Sequence, residues 1–267
     1  MSIITISRGS YSRGKDVAEK VAEKLGYSCL ARDDIIEQAS SEFNIPEVKL
    51  IRAIHDAPSI LDRFTYGKER FVAFIAAELL ERMKEDNVIY HGLAGHFFLK
   101  GISHVLKVRI IADMDYRVKV EMEREGIRRK EALRILKKDD EERRNWSRHL
   151  HGIDTADPSL YDLVIHIKTI GVDDAADIIC HTVGLKHFQA TPESKRKMMD
   201  RVVSAKVKAA LISTIPDVVV SSRNGTVTVK ANTILSQRDR LFQYIQETSE
   251  GVEGVNAVNI DIRSETP

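Results

Sequence analysis

Residues 3–26, IITISRGSYSRGKDVAEKVAEKLG, decide the reading of this chain. Ile3-Ile4-Thr5-Ile6 is a β-branched run of the kind buried in parallel sheets. A turn rich in Gly, Ser and Arg follows from Arg8 to Lys15. Beyond it, Val17, Val21 and Leu25 recur at i, i+4 and i+8 on one helical face. Gly26 supplies a C-terminal stop. Strand, glycine-bearing turn and helix make the first half of a nucleotide-binding βαβ unit. Within it, Gly9-x-x-x-x-Gly14-Lys15 satisfies most of the phosphate-loop pattern. A turn that opens a helix aims unbonded backbone N–H groups and the positive dipole end at a phosphate, and the lysine adds a point charge. Position 16 is Asp, where the pattern has the Ser or Thr that holds Mg²⁺. A carboxylate there repels phosphates unless it turns away or meets the metal.

The same alternation continues along the chain. Residues 33–54 read as short helices broken at Pro46, residues 63–68 as an exposed loop, and residues 69–85 as a strong helix. Strands are expected at 88–90, 105–112 and 162–167, with helices at 115–125, at 129–138 continuing into 139–144, and at 172–183. The predicted fold class is α/β, an open, mostly parallel sheet with helices on both faces. After Val183 the pattern changes. Residues 186–198, KHFQATPESKRKM, are polar and aperiodic and read as a linker. A helix at 199–213, strands at 217–221 and 226–230 around an Asn224-Gly225 turn, a helix at 236–248 and a strand at 255–262 follow. The expected division is a domain over 1–185, a linker over 186–198 and a small αββαβ module over 199–267.

Composition narrows the function. A chain of 267 residues, 43% hydrophobic and 30% charged, is long enough and apolar enough for a real core. Lys+Arg 41 against Asp+Glu 40 leaves a net charge of +1, so no overall field draws DNA or a membrane surface and any anion binding must be local. No basic-aromatic stripe suggests nucleic-acid binding. Cys29 and Cys180 make neither a disulfide framework nor a zinc cluster. The opening MSIITISRGS lacks a signal-peptide pattern, and no run approaches the ~20 apolar residues of a membrane span. A cytoplasmic protein is expected.

Residues 4–27, ITISRGSYSRGKDVAEKVAEKLGY, resemble the start of the cytidylate-kinase-like family, a branch of the nucleoside monophosphate kinases. In that family Asp at position 16 is a regular variant. The resemblance runs over roughly 3–185 and includes VIYHGLAGHFFL at 88–99, LKVRIIADMDYRV at 106–118, Asp140-x-x-Arg143, and YDLVIHI at 161–167. It implies a P-loop kinase fold that moves the γ-phosphoryl of ATP, with Mg²⁺, to a nucleoside monophosphate such as CMP or dCMP. Ser12, Arg13, Gly14, Lys15 and Asp16 would then surround the ATP phosphates, with Lys15, Arg143 and Arg144 acting on the transferring group. No dedicated protein metal site is expected; Mg²⁺ would bridge the phosphates through water, with Asp16 or Asp113 as candidate contacts. Arg8 either assists the loop or braces the strand end; Arg117 sits where related kinases carry an arginine just after the third core strand but by itself reads as an exposed helical residue; and His149 and His151 read as surface histidines.

The chain departs from the family on the acceptor side. Relatives carry Gly-Arg after the second core strand, whereas here Leu93 stands at about that position and cannot pair with a phosphate. Arg32, His91 or His96 would supply the contact, with Asp140 nearby, or the acceptor is not an ordinary nucleoside monophosphate. Asp33 reads as a helix N-cap. The C-terminal segment, with VVVSSRNGTVTVKANTIL at 218–235 and GVEGVNAVNIDI at 251–262, resembles a BON domain. The module lacks a catalytic set, so binding or regulation is expected of it, without membrane contact. Nucleotides are the expected partners, and the oligomeric state is open. The alternative reading is a catalytically weak nucleotide sensor signalling through the BON-like module.

Overall fold

The computed structural model describes residues 1–55, 67–92 and 95–264. Residues 63–66 of the expected loop, together with Leu93, lie outside the described residues. The first sheet contains β1 (Ile3–Arg8), β2 (Ser28–Ala31), β3 (Val88–His91), β4 (Val105–Ala112) and β5 (Leu163–Ile167). All its pairs are parallel, in the order β2-β3-β1-β4-β5. β1 is central, with Ile3 opposite both Val88 and Val105. Its Ile3, Ile4 and Ile6, like Ile89, Leu106, Val108 and Ile110, are at most 1% exposed, which is why these strands read as continuous apolar runs. Helices α1 (Gly14–Leu25) and α8 (Val172–Val183) lay Val17, Val21, Ala175 and Ile179 on that core. The short edge strand β2, Ser-Cys-Leu-Ala, escapes the sequence reading because it has no β-branched residue and no alternation.

Between β2 and β3 run α2 (Arg32–Phe43), α3 (Glu47–His55) and α4 (Gly67–Met83). Gly95–Phe98 forms the single-turn α5, α6 spans Met114–Glu125, and α7 runs unbroken over Arg129–His151, past the expected continuation to Arg144. The chain divides into two compact units. One contains Met1–Ile35 and Glu85–Ala190; the other contains Ile36–Ala53, α4, and the chain from Thr191 to the last described strand.

The second unit joins α9 (Pro192–Leu211), β6 (Val219–Arg223), β7 (Thr226–Thr233), α10 (Arg238–Glu250) and β8 (Ala257–Ser264). β6 and β7 pair antiparallel through Asn224 and Gly225, whose φ of 53° and 76° are the left-handed values that an Asn-Gly hairpin turn needs. β8 pairs parallel to β7. Its core includes Val203, Val207, Leu211, Val227, Val229 and Ile245, and it also takes in Ala73, Phe74 and Ala77 of α4. The Phe43 ring stacks on Phe74 with centroids 4.3 Å apart, and Lys206 pairs with Glu81 at 2.9 Å. The C-terminal module therefore shares its core with helices from between β2 and β3.

The expected linker at 186–198 is corrected by the structure. Lys186–Phe188 is a 3-10 turn whose Phe188 packs on the first sheet's core, and the Ala190 N–H donates to Met1 O at 2.9 Å. Helix α9 then starts at Pro192. The Thr191 hydroxyl accepts from the Ser194 N–H at 3.1 Å, and the Ser194 Oγ accepts from the Thr191 N–H at 2.9 Å. Polar composition hid this start because the helix buries only Ser194 and Met198 in its first two turns. No helix among the described residues is long and apolar enough to cross a membrane.

Truncating Phe74 to Ala should cost about 3–5 kcal/mol in urea unfolding and speed amide exchange in β7. Unchanged β7 protection would show that α4 does not share the core of that sheet.

Candidate functional site

The loop between β1 and α1 is held from inside. Ser12 is fully buried, and its Oγ lies 3.0 Å from the carbonyls of both Gly9 and Ile110, fastening the loop to β4. Its side chain is thus a fastener rather than a phosphate contact. Tyr11 and Arg13 take left-handed φ of 56° and 65°, and Arg13 occupies the N-cap of α1. The first helical bond there is Val17 N–H to Arg13 O, so the N–H groups of Gly14, Lys15 and Asp16 have no intrahelical acceptor. They leave a helix N-terminus with three free donors, a feature suited to an anion.

Asp16 does not face that N-terminus as an uncompensated charge, because it pairs with the Arg13 side chain. Arg13 in turn reaches the Tyr116 hydroxyl at 3.4 Å. The sequence's two carboxylate candidates for Mg²⁺ are both engaged: Asp113 lies 2.8 Å from Lys168 and 3.1 Å from His166, and the hydrogen bond from the Lys168 ammonium holds its pKa below the usual carboxylate range. Among the described residues no cluster of three metal-ligating side chains occurs.

Lys15 is exposed and sits 3.6 Å from Glu19, a loose surface pair that leaves the ammonium available. It opens on a cleft lined by Arg8, Arg32, Asp33, His91 and Arg143. A second chamber shares Arg8, Gly92 and Arg143 and adds Ser12, Arg109, Arg117, Asp140, Arg144 and Thr155. Both lie at the carboxyl ends of β1 and β3, where successive connections leave the sheet in opposite directions.

Arg143 on α7 is half-buried and donates to the Arg8 carbonyl at 3.1 Å. Burial, and then the neighbouring Arg8, lowers the pKa of its guanidinium. Arg144 is half-exposed, 3.7 Å from Asp154. Asp140 is not in an ion pair with either of these arginines. Both its oxygens accept from Arg117, at 2.8 and 2.9 Å, while Arg117 Nε donates to the Ser10 carbonyl at 2.6 Å. Arg117 is 7% exposed, which corrects its reading as a surface residue. Helical periodicity could not reveal that this face of α6 docks on the loop. Asp139, one residue before, accepts from Ser10 Oγ at 3.3 Å.

On the acceptor side, Arg32 lines the cleft and pairs with Asp33 at 2.7 Å. Asp33 is not an N-cap: α2 begins one residue earlier, and Asp34 reaches back to accept the Ala31 N–H at 2.7 Å. His91 lines the cleft, is 5% exposed, and its Nδ1 has no hydrogen-bond partner. His96 is buried elsewhere, its ring 5.0 Å from Tyr161 and 4.1 Å from Phe97, and is not among the lining residues. Arg109 was missed because its strand reads as wholly buried; it donates to the Tyr161 hydroxyl at 3.2 Å.

Two measurements check this geometry. A double-mutant cycle of Arg117→Ala and Asp140→Ala should give a coupling of about 1–3 kcal/mol; near-zero coupling would contradict the clamp. Burial, then Arg8, depresses the His91 pKa, so the unfolded chain binds the proton more readily. The resulting stability is complete above the unfolded value of about 6.5 and is lost as pH falls towards the folded value. His91→Gln should therefore flatten the decline in stability between about pH 7 and pH 5.

The cytidylate kinase-like family matches residues 3–169. A cytidylate kinase of Archaeoglobus fulgidus is 29% identical over 190 residues, covering 70% of this chain and 97% of that protein. One from Sulfolobus acidocaldarius is 29% identical over 189 residues with the same coverage. An uncharacterized protein from Eubacterium ventriosum superposes with a TM-score of 0.54 at 22% identity, over 68% of this chain and 98% of its own, which shows the shared fold. With a glycine-bearing loop on a parallel five-stranded sheet and a family match over more than half its length, the chain belongs to the cytidylate kinase-like family.

Proposed function

We propose that the protein is an ATP-dependent phosphotransferase that moves a γ-phosphoryl group to a nucleoside monophosphate, CMP or dCMP in the first instance. The observation that carries this reading is the cleft itself. Arg8 and Arg143 are half-buried side by side, without an ion-pair partner among the described residues, beside the free end of a helix and the exposed Lys15. Such a cluster suits a substrate that brings several negative charges. The naming of the archaeal relatives as cytidylate kinases supports the pyrimidine acceptor.

In this reading the N–H groups of Gly14, Lys15 and Asp16 and the Lys15 ammonium hold the donor's β- and γ-phosphates. Arg32 and His91 face the acceptor phosphate from β2–α2 and β3. Arg143 and Arg144 approach the transferring group from α7. Mg²⁺ would arrive with ATP and neutralise phosphate charge; the described side chains form no cage for it, and both candidate carboxylates already have cation partners. The C-terminal BON-like module is assigned binding or regulation, since it contributes no catalytic set, and a cytoplasmic location fits the nucleotide substrates.

The test is transfer from labelled ATP with Mg²⁺ to a panel of ribo- and deoxyribonucleoside monophosphates. CMP or dCMP should be phosphorylated, and Lys15→Ala should lower kcat about 10²–10³-fold. ATP binding with no transfer to any acceptor would overturn the enzyme reading in favour of a nucleotide sensor.

A further inference from the structure

We infer that Arg8 is a catalytic residue: its guanidinium, shared by both chambers of the cleft, contacts the phosphoryl group in transit between donor and acceptor. This rests on the phosphotransferase reading above, and three observations carry it.

The first is position. Arg8 ends the central strand β1 and lines both chambers, together with Gly92 and Arg143. The second is the space made for its side chain. A Cβ at Gly14 would come within 2.7 Å of Arg8 Cβ and 2.9 Å of Arg8 Cδ, so the loop's own glycine is what lets the arginine stem pass. The third is the missing counterion. Arg8 Nε is buried without a hydrogen-bond partner, and its side chain makes no ion pair among the described residues. Asp139 accepts from Ser10 and Asp140 grips Arg117, while Arg143 brings a second positive charge against the Arg8 carbonyl.

Arg117 provides the contrast within the same site. It has what a structural arginine requires when buried: a bidentate carboxylate and a carbonyl acceptor. Arg8 has neither. Burial, followed by the nearby Arg32, lowers its pKa, and the more distant charges of Asp33 and Asp16 only partly offset this. A desolvated cation without a partner destabilises the unliganded fold. It is useful only if the missing negative charge comes with the substrate.

The chemistry supplies that charge. During transfer the bond between the γ-phosphorus and the β,γ-bridging oxygen breaks, its electron pair leaving on ADP. An oxygen of the dianionic acceptor phosphate forms the new bond to phosphorus, so ATP and the monophosphate become ADP and the diphosphate, with no proton required. The oxygens of the migrating group lie between the two phosphates throughout, where a cation reaching both chambers remains in contact.

The experiment compares Arg8→Met and Arg8→Lys with the unchanged protein by urea unfolding, by thermal shift with pyrophosphate, and by kinetics. Without ligand, Arg8→Met should be at least as stable as the unchanged protein. Its stabilisation by pyrophosphate should be largely lost, and both variants should lose about 10²–10³-fold in kcat with a smaller change in KM. Failure of Arg8→Met to fold, clear destabilisation of it, or undiminished protection by pyrophosphate would make Arg8 a structural brace and overturn the inference. If no acceptor is phosphorylated even by the unchanged protein, the phosphotransferase reading fails, while the stability and pyrophosphate measurements still decide whether Arg8 is an anion ligand.

Discussion

Where β1 and β3 end, two half-buried guanidiniums, those of Arg8 and Arg143, sit without an ion pair among the described residues. A protein selected for stability alone would replace such a pair with apolar side chains or pair it internally. The surrounding structure instead preserves the imbalance. Asp16 pairs with Arg13, Asp33 with Arg32, and Asp140 with Arg117, while Asp139 accepts from Ser10, so none of these carboxylates forms an ion pair with Arg8 or Arg143. What remains is a local excess of positive charge, with Arg8, Lys15, Arg32 and Arg143 against Asp33 in the cleft that Lys15 opens on, in a chain whose net charge is only +1. In the proposed function, anion recognition is concentrated in this one cleft rather than spread over the surface.

The Arg117 clamp governs where α7 lies. One guanidinium holds the Ser10 carbonyl of the loop and both oxygens of Asp140 on α7. Arg143 follows three residues later, almost one helical turn on, so the register that seats Asp140 on the loop also presents Arg143 to the cleft. Tyr11 adds a second tie: its ring lies beneath the Arg124 guanidinium at 4.5 Å and packs against the small core of Val118, Ala132 and Leu136. Loop and helix are coupled through side chains remote from each other in sequence.

That remoteness explains which features were legible in the sequence. The strand–turn–helix of 3–26 was readable because its hydrophobic period changes from consecutive to i, i+4 within a few residues. The four apolar strands and the Asn224-Gly225 hairpin were readable for similar local reasons. β2 carried no such signal, and α9 began in polar residues whose cap depends on two side-chain hydrogen bonds. Lys15, Arg32, His91 and Arg143 do meet at one cleft, whereas His96 is drawn into aromatic packing and Asp140 into the clamp. Periodicity marks a helix as amphipathic without naming what covers it. For that reason neither the burial of Arg117 nor the shared core of Phe74 with the C-terminal sheet could be read in advance.

The central claim is that the bend after β1, with Lys15 and the paired arginines, receives a polyphosphate. A crystal structure with a non-hydrolysable ATP analogue and CMP tests it most directly. The account predicts terminal donor phosphates within hydrogen-bond reach of the Gly14–Asp16 N–H groups and the Lys15 ammonium, with Arg8 and Arg143 between donor and acceptor. An analogue bound elsewhere, or a cleft in which Arg8 turns onto a carboxylate while the loop stays empty at saturating nucleotide, would contradict it.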